Sequence, residues 1–132
     1  MRVLIVEDDF TARRMLKEIL SALGDCDVVV DGREAVQAFR LAWEEKHPYD
    51  LICMDIMMPH MDGNTALEQI REMEREIGIE GSDEVKVIMS TALGDPKTVV
   101  KAFYRGGATS YLVKPIDKRK LLGELQNLKL IA

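Results

Sequence analysis

Short apolar runs that alternate with helical patterns constrain this chain more than any other feature. Val3-Leu4-Ile5-Val6 ends in Glu7-Asp8-Asp9, and Leu51-Ile52-Cys53-Met54 ends in Asp55. Val85 to Met89 ends in Ser90-Thr91, and Tyr111-Leu112-Val113 ends in Lys114-Pro115. Runs this short, bounded by polar residues, read as buried strands, and Val28-Val29-Val30 adds a β-branched one. Between them the apolar residues fall at helical spacing. Ala12, Met15, Leu16, Ile19, Leu20 and Leu23 precede Gly24, a stop signal. Ala35, Val36, Phe39, Ala42 and Trp43 make a second face before Pro48, and Ala66, Leu67, Ile70, Met73 and Ile77 a third. Residues 78–84 are a polar loop. Asp95-Pro96 reads as an N-cap and first-turn proline for a fourth helix carrying Val99, Val100 and Phe103 and ended by Gly106-Gly107. Leu121, Leu122, Leu125 and Leu128 face inward from a last helix. Strict alternation predicts an α/β fold: a doubly wound, five-stranded parallel sheet with five flanking helices. Right-handed crossovers leave few strand orders, and of these the flavodoxin-like 2-1-3-4-5 is the one expected here.

If the runs are parallel strands, their polar interruptions all fall at one carboxyl edge, where open α/β sheets bind ligands. Glu7, Asp8 and Asp55 then converge, and carboxylates so crowded need a counter-charge. Hard oxygen donors of this kind suit Mg²⁺. Asp9 reads as a helix cap. Asp55, at the rim, is a carboxylate able to attack phosphorus and form an acyl phosphate. Thr91 can donate a hydroxyl to a phosphoryl oxygen, and Lys114 supplies a cation. Pro115 fixes the following turn, and a cis Lys114–Pro115 bond would aim the ammonium inward.

Composition narrows the function. The 132 residues suit one domain, 1–132, with a single core, and 47% hydrophobic with 31% charged residues is ordinary for a globular protein. A formal net charge of -5 speaks against direct nucleic-acid binding. The apolar runs are too short to span a bilayer, and acidic residues follow the first run at once, unlike a signal peptide. The chain therefore reads as cytoplasmic, with no membrane partner. Cys26 and Cys53 read as buried, reduced thiols. His47 and His60 read as solvated loop histidines, and Arg13 and Arg14 as solvated residues of the first helix.

The segments IVEDD, MDIMMPHMDG, STA and YLVKP, in this order and spacing, resemble the receiver domain of bacterial two-component response regulators. The resemblance covers almost the whole chain. It implies Asp55 as phosphoacceptor, Glu7 and Asp8 as the acidic metal pair, and the Met57 backbone carbonyl as a further Mg²⁺ ligand. It implies Thr91 and Tyr111 as switch residues and Lys114 as the site lysine. Glu7 stands where many members have Asp. The implied partners are a histidine kinase or histidine phosphotransfer protein as donor and a downstream protein effector. The effector would read the face of the fourth helix, fifth strand and last helix, and that face is also a surface for dimerisation on phosphorylation. Apart from its own phosphoryl transfer and dephosphorylation, such a domain is a signalling module rather than an enzyme.

Two other readings fit less well. A phosphatase passing through an aspartyl-phosphate needs a second Asp two residues after the nucleophile, where this chain has Met57. A flavin binder needs a Ser/Thr/Gly-rich phosphate cradle after strand 1, where Glu7-Asp8-Asp9 repels phosphate. Met57 and Leu93, two residues beyond Asp55 and Thr91, are both apolar and unable to orient an attacking water, which predicts a long-lived acyl phosphate.

Overall fold

The computed structural model describes residues 1–92 and 107–132. Its five strands are β1 (Arg2–Val6), β2 (Asp25–Val29), β3 (Leu51–Asp55), β4 (Lys86–Thr91) and β5 (Ser110–Val113). All pair in parallel, in the order β2-β1-β3-β4-β5 expected from the sequence. Four α-helices lie among the described residues: α1 (Phe10–Ser21), α2 (Gly32–Glu44), α3 (Gly63–Glu76) and α4 (Lys118–Asn127). The predicted fourth helix, with Asp95, Pro96, Val99, Val100, Phe103 and Gly106, falls outside the described residues, as does Leu93.

The central strands are apolar over Val3–Val6 and Leu51–Met54 because both faces of the sheet are covered there. Side chains alternate along each strand, so successive residues enter opposite layers. Leu4, Val6, Ile52, Met54, Val87 and Met89 pack under α2 and α3 with Val36, Phe39, Leu67 and Ile70. Val3, Ile5, Leu51, Cys53 and Ile88 pack under α1 and α4 with Leu16, Leu20, Leu121 and Leu125.

Each of the four helices opens on an aspartate. Asp9, Asp31, Asp62 and Asp117 accept from the backbone N–H of Ala12, Glu34, Thr65 and Lys120. A carboxylate there satisfies an otherwise unpaired donor and faces the positive end of the helix dipole.

Two strands differ from the sequence reading. β2 runs over Asp25–Val29 instead of residues 28–30, because it is the edge strand and its outward residues Asp25 and Asp27 are acidic. Blunting an exposed edge with charge hides the strand from a search for apolar runs. β4 extends through Ser90 and Thr91, which pair with Asp55 and Val113 and so belong to the ladder. Cys26 is only half-buried, while Cys53 is buried and its thiol is pushed up to about 12 by desolvation, with Cys26 adding a smaller upward push. Both are free thiols.

A polar cluster holds α3 to the start of β4. Arg71 Nη1 donates to Glu74 Oε1 at 2.7 Å and to the Val85 carbonyl at 2.9 Å, and its Nε donates to the Gly107 carbonyl at 3.0 Å. The Val85 N–H donates to Glu74 Oε2 at 2.7 Å. Both side chains are buried. One ion pair thus satisfies three backbone groups on two segments that flank the sheet.

Candidate functional site

Register places the site. Val6 of β1 pairs with Met54 of β3, so Glu7 and Asp55 emerge side by side at the carboxyl edge. Asp55 also lies opposite Ser90, and Thr91 opposite Val113, which brings Lys114 to the same rim. The Lys114 N–H donates to the Thr91 carbonyl at 2.8 Å. The Lys114–Pro115 peptide is cis.

Lys114 Nζ lies 2.8 Å from Glu7 Oε1 and 3.1 Å from Asp55 Oδ2. Asp8 completes the acidic group: one carboxylate oxygen each from Glu7, Asp8 and Asp55 lie within 4.8 Å of one another. Glu7 is 1% exposed and Asp55 6%, whereas Asp8 faces solvent. Burial pushes the Glu7 carboxyl up to about 7; the Lys114 hydrogen bond pulls it down and Asp55 pushes it further up. For Lys114, partial burial disfavours the ammonium, but Glu7 and Asp55 outweigh it and hold its pKa above the ordinary lysine value. One ammonium against three carboxylates leaves the cluster short of positive charge. An all-oxygen donor set of this kind, open on the Asp8 side, fits a hard divalent cation.

The loop after β3 is closed by backbone bonds. Ile56 N–H donates to the Ser90 carbonyl at 3.0 Å and Gly63 N–H to the Ile56 carbonyl at 2.8 Å. A Cβ on Gly63 would stand 2.4 Å from the Asp55 carbonyl, so only glycine lets α3 start this close to the site. Met57 donates its N–H to Asp55 Oδ1 at 3.3 Å, and its side chain is 65% exposed. Thr91 is buried, with its hydroxyl 3.4 Å from the Ala92 carbonyl. Tyr111 lies on β5 opposite Met89 and is partly exposed. Beside Glu7 and Lys114 a cavity of about 550 Å³ opens, walled by Ala12, Met15, Leu16 and Ile116.

Every residue that the sequence assigns to the rim and that the structure describes is therefore at the carboxyl edge or, for Tyr111, on the adjoining strand. Asp9 caps α1 as expected, through the Ala12 N–H at 2.8 Å. Two polar residues read as solvated are engaged. Arg13 Nη1 donates to the Glu7 carbonyl at 3.2 Å and backs the acidic turn. His60 Nδ1 lies 2.9 Å from Asp31 Oδ2. No local pattern marks either contact; each depends on a neighbour set by the fold. The Arg71–Glu74 pair did leave a sign, because Glu74 lies four residues after Ile70, on the inward row of α3.

Known proteins share this architecture and sequence. Residues 3–126 match the response regulator receiver domain. The chain is 36% identical over 121 residues to the chemotaxis protein CheY of Bacillus subtilis (strain 168), covering 92% of this chain and 91% of that protein. Its fold is similar to the CheX-CheY-BeF3-Mg+2 complex from Borrelia burgdorferi, with a TM-score of 0.80, 30% identity, and coverage of 100% of this chain and 90% of that one. It is also similar to the receiver domain of sensor histidine kinase PA1611 from Pseudomonas aeruginosa PAO1, which holds a magnesium ion in its active site cleft. There the TM-score is 0.74 and the identity 30%, over 96% of this chain and 95% of that one. A five-stranded parallel sheet, an acidic rim bridged by a lysine and a family match across nearly the whole length agree: the chain belongs to the receiver domains of two-component response regulators and is CheY-like.

Proposed function

We propose that this chain is a phosphorylation-activated switch in which Asp55 takes a phosphoryl group from the phosphohistidine of a histidine kinase or phosphotransfer protein. The observation that carries this reading is the Lys114 ammonium between Glu7 and Asp55 on a rim that also holds Asp8. In the transfer the donor's N–P bond breaks and an O–P bond forms at the Asp55 carboxylate. Glu7, Asp8, Asp55 and the Met57 carbonyl would hold Mg²⁺, which when bound offsets the negative charge of the carboxylates and the incoming phosphoryl group. Lys114 adds a fixed cation beside the same carboxylate. The phosphohistidine side of the donor would approach along the cavity between α1 and Ile116.

The switch follows from the new charge. Thr91, at the end of β4, would donate its hydroxyl to the phosphoryl group, and Tyr111 on β5 would move with it. Both belong to one equilibrium between two arrangements, biased by phosphorylation. A protein effector, or a second copy, would read the surface of β5, α4 and the predicted fourth helix. The acyl phosphate then hydrolyses at the same site and resets the switch.

The direct test is incubation with acetyl phosphate and Mg²⁺. One phosphoryl group should be gained, labile to hydroxylamine, mapping to Asp55 and lost when EDTA is present. Uptake that persists in EDTA, or maps elsewhere, would overturn the reading. Lys114→Ala should keep the fold, because Lys114 lies outside both apolar layers, but melt below the parent in metal-free buffer, because buried Glu7 and Asp55 lose their shared cation. It should be phosphorylated more slowly by about tenfold or more, since removal of a fixed cation near developing charge costs on that scale. A parent-like rate and a parent-like switch would reduce Lys114 to a surface charge.

Signal lifetime depends on Met57, whose exposed side chain offers no hydrogen bond to an attacking water. Met57→Asn, combined with Leu93→Glu, should speed loss of the phosphoryl group on the order of tenfold, or about 1.4 kcal/mol of barrier. A decay time-course with Mg²⁺ present checks it, and unchanged or slower decay would show that the apolar side chains at 57 and 93 do not set the lifetime.

A further inference from the structure

Residues 56–62 carry Met57 away from Asp55 and return the chain to α3. A second set of bonds, unrelated to Asp55, ties the far side of this loop to the start of α2. The Gly32 N–H donates to the Met61 carbonyl at 3.1 Å, and a Cβ on Gly32 would stand 2.5 Å from that oxygen. Next to this bond, His60 Nδ1 meets Asp31 Oδ2 at 2.9 Å. Asp31 is buried and gives its other oxygen to the Glu34 N–H at 2.9 Å. That backbone hydrogen bond, and then His60, hold the Asp31 carboxyl below its ordinary value. An ionised carboxylate only accepts, so His60 donates from Nδ1 and the tautomer is fixed. His60 also has φ of 65°, a left-handed backbone uncommon for a non-glycine residue.

We infer that His60 is a positioning residue of the metal site: its bond to the α2 cap Asp31 fixes the loop that presents the Met57 carbonyl. The inference rests on the reading of Glu7, Asp8, Asp55 and Met57 as the Mg²⁺ site. In that reading Asp55 is the last residue of β3, and Glu7 and Asp8 lie in the short turn between Val6 of β1 and Asp9, the cap of α1. Met57 is different, because it belongs to the longer loop 56–62 that runs from β3 to α3. Outer partners that orient metal ligands affect affinity without touching the metal.

The test is a calorimetric titration of the unphosphorylated protein with MgCl₂, comparing the parent with His60→Gly, Asp31→Ser and the double variant. Glycine accepts the left-handed backbone without strain, so His60→Gly removes the ring and leaves the chain path favourable. Serine keeps the cap on α2 but has no second oxygen for His60. Each single variant should weaken Mg²⁺ binding about tenfold, and the double variant no further, because both remove one bond. At saturating Mg²⁺ the phosphorylation rate of each should return to the parent's. Parent-like Mg²⁺ affinity in His60→Gly would overturn the positioning role, as would a rate that stays low at saturating Mg²⁺. If the parent itself binds no Mg²⁺, the metal-site reading falls and this inference with it.

Discussion

Asp55→Asn is expected to take up no phosphoryl group from acetyl phosphate while folding like the parent. The two side chains have nearly the same shape, so packing beneath β3 is kept. The amide can still offer an oxygen to the Met57 N–H, which lies 3.3 Å from Asp55 Oδ1. What is lost is a negative oxygen able to attack phosphorus. The substitution also removes one of three crowded carboxylates, so Lys114, 2.8 Å from Glu7, keeps a partner and mutual repulsion falls. Thermal stability should therefore equal or exceed the parent's in metal-free buffer. Mass spectrometry after incubation with acetyl phosphate and Mg²⁺, with a melting curve on the same sample, reads both. Undiminished labelling of a well-folded variant would show that the acceptor lies elsewhere.

The largest stability loss should come from a residue far from this rim. Glu74→Ala removes the carboxylate 2.7 Å from buried Arg71 and leaves it only the more exposed Glu84, at 3.7 Å, while the Val85 N–H loses its acceptor. Breaking one side of a buried pair costs about 3–5 kcal/mol. In a domain of this size that lowers the melting temperature by roughly 10–18 °C. Replacing both partners with apolar residues often restores stability elsewhere. Here it should not, because the pair also serves Val85 N–H, the Val85 carbonyl and the Gly107 carbonyl. Arg71→Met with Glu74→Leu should remain at least about 2 kcal/mol less stable than the parent, since buried backbone groups would lose their partners. Denaturant unfolding of the single and double variants decides it, and a double variant as stable as the parent would show that packing alone holds this junction.

The site was legible because its chemistry sits at strand ends. Each apolar run marks a strand, and in a parallel sheet every run ends on the same edge, so Glu7, Asp8, Asp55, Thr91 and Lys114 could be placed together without knowing any distance. The division of the core into two layers was equally implicit in the alternation of residues along β1 and β3. The edge strand was harder, since Asp25 and Asp27 break the apolar pattern where the sheet meets solvent. Contacts between distant segments were the least legible. His60 and Asp31 are separated by 29 positions, and nothing in either neighbourhood calls for the other. Lys114 and Glu7, 107 positions apart, could be brought to one rim by topology, but only coordinates show the ammonium shared between Glu7 and Asp55.

The aspartate caps change what the acidity of this chain means. Asp9, Asp31, Asp62 and Asp117 each spend their charge on the open end of a helix, where asparagine or serine would serve nearly as well. Glu7 and Asp55 are turned toward Lys114. Six of the 23 acidic side chains behind the formal value of -5 are thus held by a partner within the molecule. An approaching protein still meets Asp9, Asp62 and Asp117 at the surface, but a relative with asparagine or serine at those caps can carry a less negative net charge and keep both the same helix starts and the same rim.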